Sequence, residues 1–182
     1  MNKLSIKSVV AIGIGAALFF VIGRFAAIPS GIPNTNLTIQ YAILALFAAI
    51  YGPIAGGLIA LIGHTLIDLS WGGSPWWSWV IASVVVGVLI GVFAKKINLE
   101  AGKFGKVQII GFIVACFVAN AVAWLLVAPS LDVLMYAEPA NKVFAQGISA
   151  TLINFVASAV VGGLLAAAYT KTRTKKGSLK ED

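Results

Sequence analysis

The sequence predicts an all-α integral membrane protein of six transmembrane helices, with both termini cytoplasmic. Three observations carry that reading. Hydrophobic residues make up 60% of the 182-residue chain and charged residues 10%, where a soluble domain carries about a quarter charged; mean hydropathy is +0.99. Runs almost free of charge recur along the chain, each approaching the roughly 20 residues a helix needs to cross the hydrocarbon core. The runs are continuous in Ala, Ile, Val, Leu and Gly, without the alternation of a transmembrane β-barrel strand.

The elements follow in order. The basic start and apolar core of MNKLSIKSVVAIGIGAALFFVIG resemble a signal peptide, but the apolar run is too long, and a retained first helix is expected over about 7–28. The Pro/Gly/Asn-rich loop PSGIPNTN precedes a shorter helix at about 37–50. Tyr51-Gly52-Pro53 makes a tight turn, with Pro well placed at the start of a third helix running to about Leu69. A fourth spans about 76–94, and the basic loop KKINLEAGKFGK leads to a fifth at about 107–127. After a longer loop comes the sixth, at about 142–169. The expected domain is thus residues 1–170, with 171–182 a solvated basic tail. Cys116, the single cysteine, lies inside an apolar run and reads as a small packing residue.

Six crossings place both termini on one side. Lys3, Lys7, Lys95, Lys96, Lys103, Lys106, Lys171, Arg173, Lys175, Lys176 and Lys180 then share that side, 11 of the 13 basic residues, which the positive-inside rule makes cytoplasmic. The net charge of +7 therefore sits at helix ends and gives no reason to expect nucleic acid. Loops 29–36, 70–75 and 128–141 are expected to face outward.

Polar residues inside a span are costly and face a cavity or another helix. Counted at about 1.5 Å per residue, Arg24 lies roughly 6 Å, His64 roughly 7 Å, and Asn120 and Asn154 roughly 10 Å below the outer ends of their helices. Gln40, Trp79 and Trp124 join the same layer, and the inner halves hold almost nothing polar. A polar layer confined to the outer third describes an outward-facing cup; a pore or proton relay would continue its polar groups to the other face. Asn34 and Asn36 bring donors and acceptors to its mouth on a loop that is either a lid or an ordinary turn.

Alternatives stand beside each residue. Asn120 and Asn154 read equally as interhelical hydrogen-bond glue. Arg24 reads equally as the ion-pair partner of Asp68. Trp71, Trp76 and Trp77 fit an interfacial belt, whereas Trp79 and Trp124 are deeper and better placed to stack on a ligand ring. His64 and Asp68, four apart, share a helix face; with no second histidine, a metal site is not expected. Ser70, Ser74, Ser78 and Thr65 lie nearby without a nucleophile motif, so no catalytic residue is assigned.

On the first helix Ala11 and Gly15, and Gly13 and Ala17, fall four apart, a spacing that permits close helix approach. The chain has no GxxxxGK[ST] loop. No ATP site or other cofactor of its own is expected, and a cup without an energy source suggests a partner.

IGRFAAIPSGIPNTNLTIQYAILALFAAIYGPIAGG, followed by GH, D and PWWSWVI, resembles the substrate-binding S component of energy-coupling factor (ECF) vitamin transporters. The resemblance covers nearly the whole chain. More specifically, the resemblance is to a subfamily grouped with the riboflavin-type S components, some of whose members are assigned to hydroxymethylpyrimidine or pyridoxine. It implies a complex with a transmembrane T component and two cytoplasmic ABC-type ATPases, with Ala11, Gly13, Gly15 and Ala17 meeting the T component. The Ala-xxx-Ala form is relaxed here to Ala/Gly. Expected function is capture of a small heterocyclic vitamin at the outer face of a bacterial plasma membrane. A stand-alone carrier and an intramembrane enzyme are the competing classes.

Overall fold

The computed structural model describes residues 5–32 and 35–172. Six helical rods form the bundle: α1 (Ile6–Phe25), α2 (Gln40–Tyr51), α3 (Pro53–Ser70), α4 (Trp77–Ala94), α5 (Lys106–Tyr136) and α6 (Ala140–Thr172). All but α2 are long and apolar enough to cross a membrane. The protein is an all-α membrane protein, as the apolar runs predict.

α1 starts where the Ser5 side chain accepts the Ser8 amide at 3.1 Å, satisfying one of the donors a helix start leaves free. It ends at Phe25 rather than near Ile28, because the chain turns there into a two-stranded antiparallel hairpin. In it, Ile28 of β1 (Ile28–Pro29) pairs with Leu37 of β2 (Asn36–Leu37). Ser30 Oγ donates to Thr35 O at 2.5 Å across the hairpin. This hairpin is what the Pro/Gly/Asn-rich loop becomes. Asn34 lies outside the described residues.

α2 is short: its 12 residues reach about 18 Å at 1.5 Å per residue, with Gln40 and Tyr41 at the end that follows the hairpin. Gly52, at φ +86°, turns the chain sharply into Pro53 at the head of α3. α3 then crosses α4 at Gly56 and Gly87, where a Cβ on either would run into the other's backbone carbonyl.

α5 corrects the expected boundary at Val127. The helix runs on through Pro129 to Tyr136, by way of a wide π turn over Val122–Val127. Proline in a regular helix removes a hydrogen bond and collides with the carbonyl four residues back; a wider turn just before it gives that carbonyl room. Most of the expected outer loop 128–141 is therefore helix. A second π turn, Ala157–Val161, interrupts α6.

The start of α1 and the loop after α4 meet through Lys7 and Glu100, 3.2 Å apart. This end of the bundle is opposite the hairpin. Between them the core is apolar, built on Leu44, Ile59, Val86, Ile90 and Phe112. Most of the buried polar residues gather nearer the hairpin end, among them Gln40, Ser78, Ser83, Asn120, Asp132, Gln146, Thr151 and Asn154; Thr170, near the end of α6, is an exception.

The two small-residue pairs on α1 separate. Ala11 and Gly15 are buried within the bundle; a Cβ on Gly15 would lie 2.6 Å from Ile59 Cδ1 and 3.0 Å from Phe47 Cδ1. Gly13 and Ala17 face outward, and a Cβ on Gly13 would meet nothing within 4 Å. Only the second pair is left open on the surface, because residues two apart on a helix point to different sides.

Candidate binding cup

Below the hairpin lies a cavity of two lobes. The larger, about 470 Å³, is lined by residues that include Thr35, Asn36, Gln40, Tyr41, Trp71, Trp124 and Asn154. The smaller, about 310 Å³, is lined among others by Trp76, Asp132, Glu138, Lys142 and Gln146. His64, Asp68 and Trp79 line both, forming the wall between them.

Aromatic rings build the floor. Trp79 and Trp124 lie 5.3 Å apart and tilted by 32°, and Tyr41 meets Trp124 edge-on at 5.5 Å. Each indole is fixed by its N–H. Trp124 donates to Asn120 Oδ1 at 3.0 Å, while Asn120 itself donates to Cys116 O at 2.8 Å. Asn120 is thus wholly buried behind Trp124 and positions it; the structure moves this residue from the expected ligand contacts to the layer behind them. α6 comes close to the Trp124 backbone because Gly147 has no Cβ to strike the Trp124 carbonyl.

Asp132 is the residue that sequence reasoning missed. It is buried, and its carboxylate accepts the Trp76 indole N–H at 2.7 Å, the Trp79 indole N–H at 2.7 Å, and the Ser78 hydroxyl. Tyr136, one turn further along α5, stacks on Trp76 at 4.3 Å, and its hydroxyl accepts the Trp77 amide at 3.1 Å. The continuation of α5 therefore straps down the head of α4. An apolar stretch after Pro129, LDVLMY, is the signal that could have exposed it.

The dividing wall is a row of polar side chains. Asp68 Oδ2 accepts the Trp76 amide at 2.8 Å, and Oδ1 lies 3.6 Å from His64 Nε2. His64 Nδ1 is 2.5 Å from Ser83 Oγ, which is 2.7 Å from the Tyr41 hydroxyl. The Ser83 hydroxyl also donates to the Trp79 carbonyl at 3.0 Å, so its oxygen joins α2, α3 and α4 at one point.

The remaining predicted residues scatter. Gln40, 7% exposed, and Asn154, 6% exposed, line the larger lobe, as does Asn36 on the hairpin. Arg24 does not pair with Asp68: its guanidinium lies 3.9 Å above the Trp71 ring, a cation–π contact that satisfies it at the rim. Asp68 has its partners in His64 and the Trp76 amide instead.

The family model of the ECF-type riboflavin transporter S component matches residues 3–171. The chain belongs to this family. As an S component it is the substrate-binding subunit of an ECF transporter and an integral protein of the bacterial plasma membrane; it is not an enzyme. This S component is 52% identical over 181 residues to a UPF0397 protein of Enterococcus faecalis, covering 100% of this chain and 99% of the relative. It is 54% identical over 181 residues to a UPF0397 protein of Clostridium perfringens, covering 100% and 98%. Its fold is similar to the solved S component for biotin from an ECF-type ABC transporter, with a TM-score of 0.67, 16% identity, and coverage of 94% of this chain and 95% of the other.

Proposed function

We propose that this S component captures a small heterocyclic vitamin or vitamin precursor, with hydroxymethylpyrimidine or pyridoxine favoured and riboflavin the larger alternative. The observation that carries the reading is the pair of tethered indoles, Trp79 and Trp124, set beside the acceptors and donors of Gln40, His64, Asp68 and Asn154. Aromatic faces hold a ring by stacking, and a few placed polar groups fix its orientation. Both lobes fall within or near the few hundred cubic ångströms usual for small-molecule sites. The hairpin end faces outward in this reading, so the ligand enters past Asn36, Arg24 and Trp71. A T component and two ABC-type ATPases supply the energy, with Gly13 and Ala17 on the open face of α1 available to the T component.

Calorimetric titration of the purified full-length chain with hydroxymethylpyrimidine, pyridoxine and riboflavin tests the ligand. Saturable binding of one of the first two is expected, and binding of none of the three defeats the assignment. Uptake in cells should require the partner subunits; uptake by this chain alone would favour a stand-alone carrier.

A further inference from the structure

We infer that the cup selects an uncharged or cationic heterocycle with a hydrogen-bond-donating nitrogen, accepted by Asp68, and rejects carboxylated or phosphorylated forms of the same ring. The inference rests on the cup being the ligand site and narrows its ligand by charge.

The charges around the cavity are three carboxylates, Asp68, Asp132 and Glu138, against one lysine, Lys142, and the histidine. Their availability differs. Asp132 already accepts two indole N–H groups and a hydroxyl. Glu138 and Lys142 neutralise one another at 2.6 Å. Asp68 accepts one amide and faces one imidazole, so it keeps acceptor capacity, since a carboxylate offers about four lone-pair sites. It lines both lobes.

No counter-cation is open to an anionic ligand among the described lining residues. Arg24 is stacked on Trp71 and lines neither lobe. Three amides at helix starts, which otherwise attract anions, are also occupied: the Gln40 amide by Thr38 Oγ1 at 3.3 Å, the Trp76 amide by Asp68 and the Trp77 amide by Tyr136. Once past the Arg24 charge at the rim, an anion would thus sit beside the Asp68 carboxylate. The indole faces below favour positive charge.

Asn154, 6% exposed, also lines the larger lobe. The amide can serve a ring nitrogen as donor and an exocyclic amine as acceptor, a match for a neutral amino-heterocycle.

The test is a pooled competition read by native mass spectrometry on the full-length chain in detergent. The pool holds pyridine, pyrimidine and isoalloxazine compounds, each ring supplied with an aminomethyl, hydroxymethyl or carboxylate substituent. Expected is retention of aminomethyl and hydroxymethyl members over the matching carboxylate by roughly 100-fold, the scale of uncompensated like-charge repulsion. Retention of such members on a different ring from those proposed would defeat the vitamin assignment and leave the charge rule standing. Equal or preferred retention of carboxylates overturns the rule whatever the ring, and retention of nothing overturns both. Asp68→Asn, which keeps an acceptor for the Trp76 amide, should narrow the carboxylate penalty at least tenfold; an unchanged penalty would remove Asp68 from the selection.

Discussion

Asp132, near the end of α5, accepts the indole N–H of Trp79 on α4 at 2.7 Å, and this bond fixes a ring that lines both lobes of the cup. Its other oxygen holds Trp76 at the same distance. One buried carboxylate therefore sets two rings of the binding wall, while already accepting three hydrogen bonds from the protein.

Asp132→Asn should separate this positioning role from general packing. An amide has one acceptor oxygen where the carboxylate has two, and its NH₂ group would face an indole N–H. A stability loss of about 2 kcal/mol is expected, the usual scale for a hydrogen bond to a charged group. Ligand affinity should fall about 10-fold if Trp79 loses its orientation, with a shifted tryptophan emission spectrum before ligand is added. A variant with an unchanged emission spectrum and affinity would show that packing alone orients the rings.

Gly13→Leu and Gly15→Leu, two residues apart, should behave differently. Gly13 faces outward with open space beside it, whereas Gly15 packs against Ile59 and Phe47. Gly13→Leu is expected to leave the melting temperature and ligand binding unchanged and to reduce co-purification with the T component. Gly15→Leu should destabilise the isolated chain by about 1–3 kcal/mol through overpacking. Intact complex formation in Gly13→Leu would place the partner on another face.

The contrast between these glycines shows what sequence could and could not reveal. Apolar runs and charge placement determine the rods, because bilayer thickness and the cost of buried charge act on composition alone. Depth counting likewise brought Gln40, His64, Asp68, Trp79, Trp124 and Asn154 to one layer. Which face of α1 is inward was not legible, since both pairs of small residues satisfy the same spacing. Asp132 escaped for a different reason: Pro129 reads as a helix end, and the π turn that accommodates it has no simple residue signature. Arg24 reads equally as a partner of Asp68 because depth is only one coordinate; in the fold it stacks on Trp71 instead.

Gly147→Ala should be more harmful than its size suggests. The added Cβ would strike the Trp124 carbonyl and lie 3.1 Å from Pro129 Cγ, forcing α6 away from α5. A loss of about 1–3 kcal/mol is expected, together with weaker ligand binding because Trp124 moves with its backbone. Gly163→Ala, on the same helix with nothing within 4 Å of the added Cβ, is the control and should be neutral or slightly stabilising. Equal melting temperatures for the two variants would contradict the close approach of α6 at Gly147.

The row from Tyr41 to Asp68 makes a prediction about coupling rather than about any one side chain. Ser83 Oγ lies 2.5 Å from His64 Nδ1 and 2.7 Å from the Tyr41 hydroxyl, so Ser83→Ala takes a hydrogen-bond partner from each of them. That should cost about 1–3 kcal/mol of stability for each group left without a partner. It should also free the imidazole to turn, which weakens its hold on the Asp68 orientation and lowers ligand affinity about 10-fold. Asp68→Asn removes the charge that faces His64 Nε2 and should lower affinity by a similar factor. If the four groups act as one unit, the double variant will lose less affinity than the product of the two single losses, because the second substitution removes an orientation already lost. Affinities measured through this double-mutant cycle decide the matter: strictly multiplicative losses would mean that His64 and Asp68 meet the ligand independently, and that Ser83 only fills space between helices α2, α3 and α4.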